Sequence, residues 1–252
     1  MKATERFTNR VSDYKNHRPG YPKAIIDRLL AQRIITSASV VADIGSGTGL
    51  FCKLFFPFVE QVYGVEPNDA MRRQAEADFS SVTNFISRPG SAEDTHLASH
   101  SIDLVTAAQS FHWFNREKTY TEFKRILKPS GRVLLVWNYR DIDGDELQRR
   151  YEAILASTIP NYKQLDHKSM TLDKIKAFFK SPSVDCFSLP NQQSFTLDQF
   201  KGRILSSSYV PKPPDPVYDS VMDQVVDLFH EFEKEKSILF IYKTVVYTGI
   251  PS

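Results

Sequence analysis

The sequence predicts an α/β fold on a doubly wound, mostly parallel sheet, and three observations carry that expectation. Short β-branched runs alternate with helix-length segments through the first 140 residues, the pattern of parallel βαβ units. One run, Ser39 to Ile44, ends in three alternating glycines, Gly45, Gly47 and Gly49. The next run, Gln61 to Glu66, ends in an acid about 20 residues after the first strand's glycines.

Taken in order, Ser39 to Ile44 is the first strand, rich in valine and closed by the glycines. Leu50 to Phe58 is compatible with a helix, followed by the strand Gln61 to Glu66 and a helix from Asp69 to Phe79. Asn84 to Ser87 is a weaker third strand, and Ile102 to Ala107 a fourth that carries Asp103. A helix is expected over Glu117 to Leu127. The turn Lys128-Pro129-Ser130-Gly131 then opens a fifth strand, Arg132 to Asn138. After Arg140 the pattern changes. Asp145 to Thr158 is amphipathic, with Leu147, Tyr151, Ile154 and Leu155 on one side. Thr171 to Lys180 reads as a helix with Thr171 as its N-cap. Val184 to Leu189 and Ile238 to Tyr247 read as strands, and Thr196 to Ser207 and Val217 to Lys236 as helices. Pro211, Pro213, Pro214 and Pro216 form a stiff connector before the last helix.

Composition excludes several classes. The chain has 252 residues, 41% hydrophobic and 25% charged, with a formal net charge of +2 and no long basic run, so neither a disordered chain nor a sequence-independent grip on nucleic acid is expected. Its two cysteines, Cys52 and Cys186, form no CxxC pair or Cys/His cluster, which argues against a disulfide framework and against a metal site. The start, Met1-Lys2-Ala3-Thr4-Glu5-Arg6, lacks a signal peptide's apolar core. The longest apolar run, Val133 to Trp137, is far short of the roughly 20 residues of a membrane span. A cytoplasmic protein, monomer or homodimer, with no membrane or nucleic-acid partner is the expectation.

The segment from Val40 to Gly49 is the most informative. Glycines let the chain turn sharply and approach a ligand closely. The spacing here is G-x-G-x-G rather than the dinucleotide G-x-G-x-x-G, and Asp43 precedes it. This suits a nucleoside without phosphate, its amino-acid end over the turn. Glu66 is placed to accept hydrogen bonds from ribose hydroxyls, which disfavours a 2′-phosphate. An NAD-dependent oxidoreductase is the alternative that this spacing and Glu66-Pro67 oppose.

These residues resemble the class I S-adenosylmethionine-dependent methyltransferases. Val41 to Gly49 is similar to that family's first motif and Gly64-Val65-Glu66-Pro67 to its second. Gly90 to Asp94 resembles the loop that faces adenine. Ser101 to Val105, followed by Ala108 to Trp113, resembles the fourth strand and its active-site exit. Phe7, Tyr14, the run His17 to Pro22 and the run Val136 to Arg140 are similar to the trans-aconitate-type, small-molecule subgroup.

The resemblance implies a Rossmann-like, seven-stranded sheet with its last strand antiparallel. It also implies a single domain: cap helices over 1–38, a cofactor-binding core over 39–140, a helical insertion over 141–183 that roofs the acceptor pocket, and C-terminal strands and helices over 184–252. It implies S-adenosylmethionine as cofactor, lined by Asp43, Gly45 and Gly47 on the methionine and ribose side. Glu66 would hold the ribose, and Pro67, Met71, Ala92 and Glu93 would surround adenine. Gln109 would lie beside methionine, with Tyr14 and Arg18 closing over the carboxylate end.

Methyl transfer to a small-molecule acceptor, an organic acid carboxylate among the candidates, then rests on alignment in a dry pocket. A carboxylate or thiolate acceptor needs no protein base; for a hydroxyl, amine or carbon acid the need for one stays open. His112 is the base candidate, with a pocket-wall role as its alternative, and Trp113 is either a pocket wall facing the sulfonium or a packed core ring. Arg140 is either a carboxylate reader or a solvated loop charge. Asp141, Asp143 and Asp145 lack the remaining ligands of a calcium loop and read as a solvated acidic turn. A protein that binds the cofactor without catalysis is the third alternative.

Overall fold

The computed structural model describes residues 11–160, 162, 170–181 and 183–252. Phe7, the start of the cap segment and parts of the 141–183 stretch lie outside the described residues. The elements run α1 (Val11–His17), α2 (Ala24–Ala31), β1 (Val40–Ile44), β2 (Gln61–Val65), α3 (Asp69–Asp78), β3 (Phe85–Arg88), β4 (Ile102–Ala108), α4 (Arg116–Ile126), β5 (Leu127–Arg140), α5 (Glu146–Thr158), α6 (Leu172–Phe179), β6 (Asp185–Phe195), α7 (Leu197–Leu205), α8 (Val217–Phe232) and β7 (Ile238–Gly249). One seven-stranded sheet has the order β3-β2-β1-β4-β5-β7-β6. Neighbouring strands from β3 through to β5 are parallel, and β7 pairs antiparallel with both β5 and β6.

Strand alternation distributes the core between two faces. Val133, Leu135 and Trp137 of β5 join Phe123 of α4 and Phe178 of α6 on one face. Leu134 and Val136 join Ile25 and Leu29 of α2 with Phe51 and Phe55 on the other. A third cluster sits where the β6–β7 ribbon outruns the rest of the sheet. β5 ends opposite Tyr242, yet β6 and β7 remain paired as far as Phe195 and Ile238. On that extension Phe195, Phe240 and Ile238 pack against α5, α7 and α8. This helical lobe therefore lies beyond the C-terminal end of β5, the edge at which open α/β sheets bind ligands.

Residues 141–183, expected as one insertion, divide between these cores. α5 packs in the lobe, whereas Phe178 of α6 meets Phe111, Tyr120 and Phe123 edge to face. Thr171 accepts a hydrogen bond from the Lys174 amide and caps α6, as its sequence predicts.

Four local expectations are corrected. Leu50 to Phe58 is not an α-helix: a short 3₁₀ turn spans Cys52–Leu54, and Leu54, Phe55 and Phe58 bond back three residues. Pro57 disfavours helical geometry at Phe56 and cannot donate to a helix, while Phe51 and Phe55 are drawn into the core. The turn at Lys128 to Gly131 is absorbed as a bulge of β5, since Ile102 faces Leu127 while Leu104 faces Arg132. β6 continues past Pro190 to Phe195, which an edge strand tolerates because the missing N–H is not needed there. α8 stops at Phe232, and Glu235 and Lys236 adopt left-handed backbone (φ 50° and 60°) in a two-residue reversal closed by Lys234 and Ser237.

α1 packs on α7 through Gly202, where an added Cβ would overlap the His17 ring. Its Lys15 pairs with Asp78 of α3 at 2.6 Å, so α1 bridges the sheet's first helices and the lobe. Among the described residues no helix is long and apolar enough to cross a membrane.

Candidate functional site

The glycine turn after β1 is built by its neighbours. Gly45, Gly47 and Gly49 all have left-handed backbone (φ 66°, 57° and 81°). The amides of Gly45 and Ser46 donate to the Val65 carbonyl at 2.8 and 3.2 Å, which ties the turn to the end of β2. Gly45 is also a close approach: a Cβ there would lie 2.7 Å from the Ser110 Cβ, whose hydroxyl donates to the Ile44 carbonyl. Gly47 differs. A Cβ there would meet no protein atom closer than the Met71 sulfur at 3.5 Å and would instead enter the adjoining cleft.

That cleft opens at the C-terminal edge of β1, β2 and β4. Its floor is Gly45, Gly47, Glu66 and Pro67. One side is Asn68 and Met71 with Ser91, Ala92 and Glu93. The other is Gln109 with Ala108, Ser110, Trp113 and Phe114, and Tyr14 of α1 covers it. Of the sequence-predicted residues, the structure thus brings Tyr14, Gly45, Gly47, Glu66, Pro67, Met71, Ala92, Glu93, Gln109 and Trp113 to one wall or another. Asp43, Arg18 and His112 are not among the lining residues. Asn68, Ser91, Ala108, Ser110 and Phe114 also line the cleft without having been singled out as site residues. Ser91, Ala108 and Ser110 lie inside the quoted motifs, and Asn68 and Phe114 directly follow Pro67 and Trp113.

Glu66 is buried, and its two carboxylate oxygens accept from the Gly47 and Asn68 amides, both at 2.8 Å. Burial raises its pKa against the lowering effect of those amides. Each oxygen keeps a further lone pair for a hydroxyl in the cleft. The Asn68 side chain caps α3 by accepting from Met71. Asp43 lies beneath the turn. Its Oδ1 accepts from the Thr106 hydroxyl at 2.7 Å, while its Oδ2 is buried with no hydrogen-bond partner. Burial, helped by the Glu66 charge, pushes this carboxyl up to about 7 against the opposing effects of the Thr106 hydroxyl and the Cys52 amide.

The loop carrying Ser91 to Glu93 is held at both ends of α4. Glu122 accepts from the Thr95 amide at 2.9 Å and hydroxyl at 2.6 Å, and Glu93 accepts from the Asn115 amide at 2.7 Å. Gln109 has a left-handed backbone (φ 56°), and its side-chain amide donates to the Asn138 carbonyl at 3.1 Å. Trp113 is 39% exposed, and the His112 ring lies 4.9 Å from it.

Arg18 turns away from the cleft. Its guanidinium lies 4.9 Å over the Tyr14 ring and donates to the Ser206 carbonyl at 2.8 Å. Arg140 is not a solvated loop charge. Its side chain is 10% exposed, it pairs with Glu152 and the Tyr162 hydroxyl, and it lies 5.0 Å over the Tyr151 ring.

The arrangement fits S-adenosylmethionine on three counts. There is a carboxylate at the cleft floor for sugar hydroxyls, a cradle at Gly47 that a side chain would fill, and an orphaned carboxylate oxygen at Asp43 beneath an expected cationic tail. The sheet order and cleft define the class I methyltransferase architecture. Residues 42–135 match the family model described as a methyltransferase domain. An uncharacterized methyltransferase-like protein of Schizosaccharomyces pombe is 26% identical over 96% of this chain and 94% of its own length. A Saccharomyces cerevisiae protein named as a probable S-adenosylmethionine-dependent methyltransferase is 32% identical over 50% of this chain and 44% of its own. The solved structure of the Bacillus subtilis YcgJ protein shares the fold, with a TM-score of 0.55 and 21% identity over 89% of this chain and 98% of that one. Domain match, relatives and cleft together make the chain an S-adenosylmethionine-dependent methyltransferase, on a class I fold.

Proposed function

We propose that this enzyme methylates a small-molecule acceptor, an organic acid, seated between Gln109, Trp113 and the helical lobe. The single observation that carries this reading is the cleft wall. Trp113 and Phe114 close it on the side of the β4 exit, and among its lining residues there is no lysine, histidine or cysteine. An aromatic wall with few polar groups suits a small organic ligand. A carboxylate acceptor needs no protein base, and the two lining carboxylates, Glu66 and Glu93, are already engaged by backbone amides.

Bound S-adenosylmethionine supplies a methyl group activated on a sulfonium. The protein's own part is to bind and align. Glu66 would hold the sugar hydroxyls and the 91–93 loop with Met71 would flank the base, while Asp43, beneath the turn and outside the lining, would act on the cationic end only through its charge. Tyr14 closes the mouth and excludes water, which strengthens electrostatic contacts inside. Orientation of this kind is worth about 7–11 kcal/mol of a bimolecular barrier. His112, 4.9 Å from Trp113 and outside the lining, supports the wall by packing and carries no proton in this scheme.

The test is transfer of a labelled methyl group from S-adenosylmethionine over a panel of small carboxylic acids, phenols, amines and thiols, with bulk RNA and protein in parallel. Label in an acid, as an ester, is the expected result. Label in RNA or protein with none in any small molecule overturns the reading.

A further inference from the structure

Beside the cleft, where β5 ends and the lobe begins, three arginines converge on Tyr209. Arg18 comes from just past α1, Arg140 from the end of β5 and Arg203 from α7. Arg203 is buried (6% exposed), and its partners are oxygens of neutral groups: the Tyr242 hydroxyl at 3.4 Å and the Ser207 hydroxyl at 3.1 Å. Arg18 donates to the Ser206 carbonyl, and its Nε is buried without a partner. Arg140 alone has a carboxylate partner, Glu152. Among the described residues the cluster therefore sets three guanidiniums against one carboxylate.

Taking a charge out of water is costly unless an opposite charge meets it. A structural ion pair would have balanced the count. Among the described residues phenols stand beside the guanidiniums instead, and Arg140 and Arg203 overcome burial to draw the Tyr209 hydroxyl down to about 8. The surroundings are thus organised for negative charge.

The position is next to the reaction site. Tyr14, which covers the cleft, is the ring beneath Arg18. Gln109, a cleft residue, donates to the backbone carbonyl of Asn138, two residues before Arg140 on the same strand.

We propose that Arg203 and Arg140, with Arg18, form an acceptor-reading pocket that binds an oxyanion, a carboxylate or a phosphate, of the small molecule being methylated. Guanidiniums match both groups through paired N–H donors. The proposal rests on the methyltransferase reading above and adds the group by which the acceptor is recognised.

Calorimetric titration of the full chain with succinate, citrate and inorganic phosphate, with and without S-adenosylhomocysteine, tests it. At least one of these anions is expected to bind, and the pattern across the three separates carboxylate from phosphate recognition. Arg203→Gln is expected to weaken that binding by about 30-fold or more, the lower end of what losing one partner of a buried charge pair costs. Arg203→Lys should weaken it less, and both should keep wild-type affinity for S-adenosylhomocysteine. Absence of binding by all three anions to wild type overturns the proposal, as does unchanged anion affinity in a folded Arg203→Gln. Failure of S-adenosylhomocysteine to bind strikes the cofactor reading instead, and the anion arm run without it still reads the pocket.

Discussion

The Glu66 carboxylate and the Gly47 amide are joined by a 2.8 Å hydrogen bond that spans two strand ends and fixes the glycine turn to the acid. The same carboxylate also receives Asn68. Glu66→Gln replaces one accepting oxygen with a donor, so one amide loses its partner. Affinity for S-adenosylhomocysteine is expected to fall by about 1–3 kcal/mol, read by calorimetry. Unchanged affinity would remove Glu66 from the site.

Gly45 and Gly47 separate packing from ligand access. Alanine at either position adopts a left-handed backbone at a cost of about 1–2 kcal/mol. At Gly45 the new Cβ also runs into Ser110, whereas at Gly47 it only enters the cleft. Urea unfolding should show Gly45→Ala as the less stable variant. Binding of S-adenosylhomocysteine should show Gly47→Ala as the weaker binder relative to its stability loss.

Asp43 makes stability depend on pH. Its folded pKa, about 7, lies above the ordinary 3.8, so the folded chain holds a proton that the unfolded chain releases. This group's contribution therefore falls as pH rises from about 4 to about 7. Asp43→Asn removes the ionisation. Its melting temperature should exceed that of wild type at pH 8, and the gap should shrink toward pH 5. A gap independent of pH would refute the shifted carboxyl.

Glu122 has the opposite sign. Burial works against its ionisation, but the Arg125 guanidinium and the Thr95 hydroxyl and amide hold it at about 2, below the ordinary 4.5. That stabilisation is present above about pH 4.5 and lost as pH falls toward 2. Glu122→Gln should cost about 1–3 kcal/mol at pH 7, with the difference from wild type narrowing on acidification. Because Thr95 anchors the loop of Ser91 and Ala92, cofactor affinity should drop in the same variant.

What could be read from the sequence was what is local in it. The glycine spacing, Asp43 and Glu66 lie within 24 residues, and the βαβ alternation fixes their placement at one sheet edge. Apolar spacing alone misled at Leu50 to Phe58, where Phe51 and Phe55 are buried without a regular helix because Pro57 limits it. The ends of β6 and α8 were misplaced for related reasons: Pro190 is harmless on an edge, and a left-handed pair can follow a charged helix end. The arginine cluster had no local signature. Arg18, Arg140 and Arg203 are brought together only when β7 enters beside β5 and raises the lobe.

That entry has a bearing on how the molecule is assembled. β6 has β7 as its sole neighbour in the sheet, and β7 comes after it in the chain. On the ribosome, β6 must wait without a hydrogen-bonded neighbour until β7, which starts 43 residues after β6 ends, has been made. The half of the sheet that carries the glycine turn can form well before then.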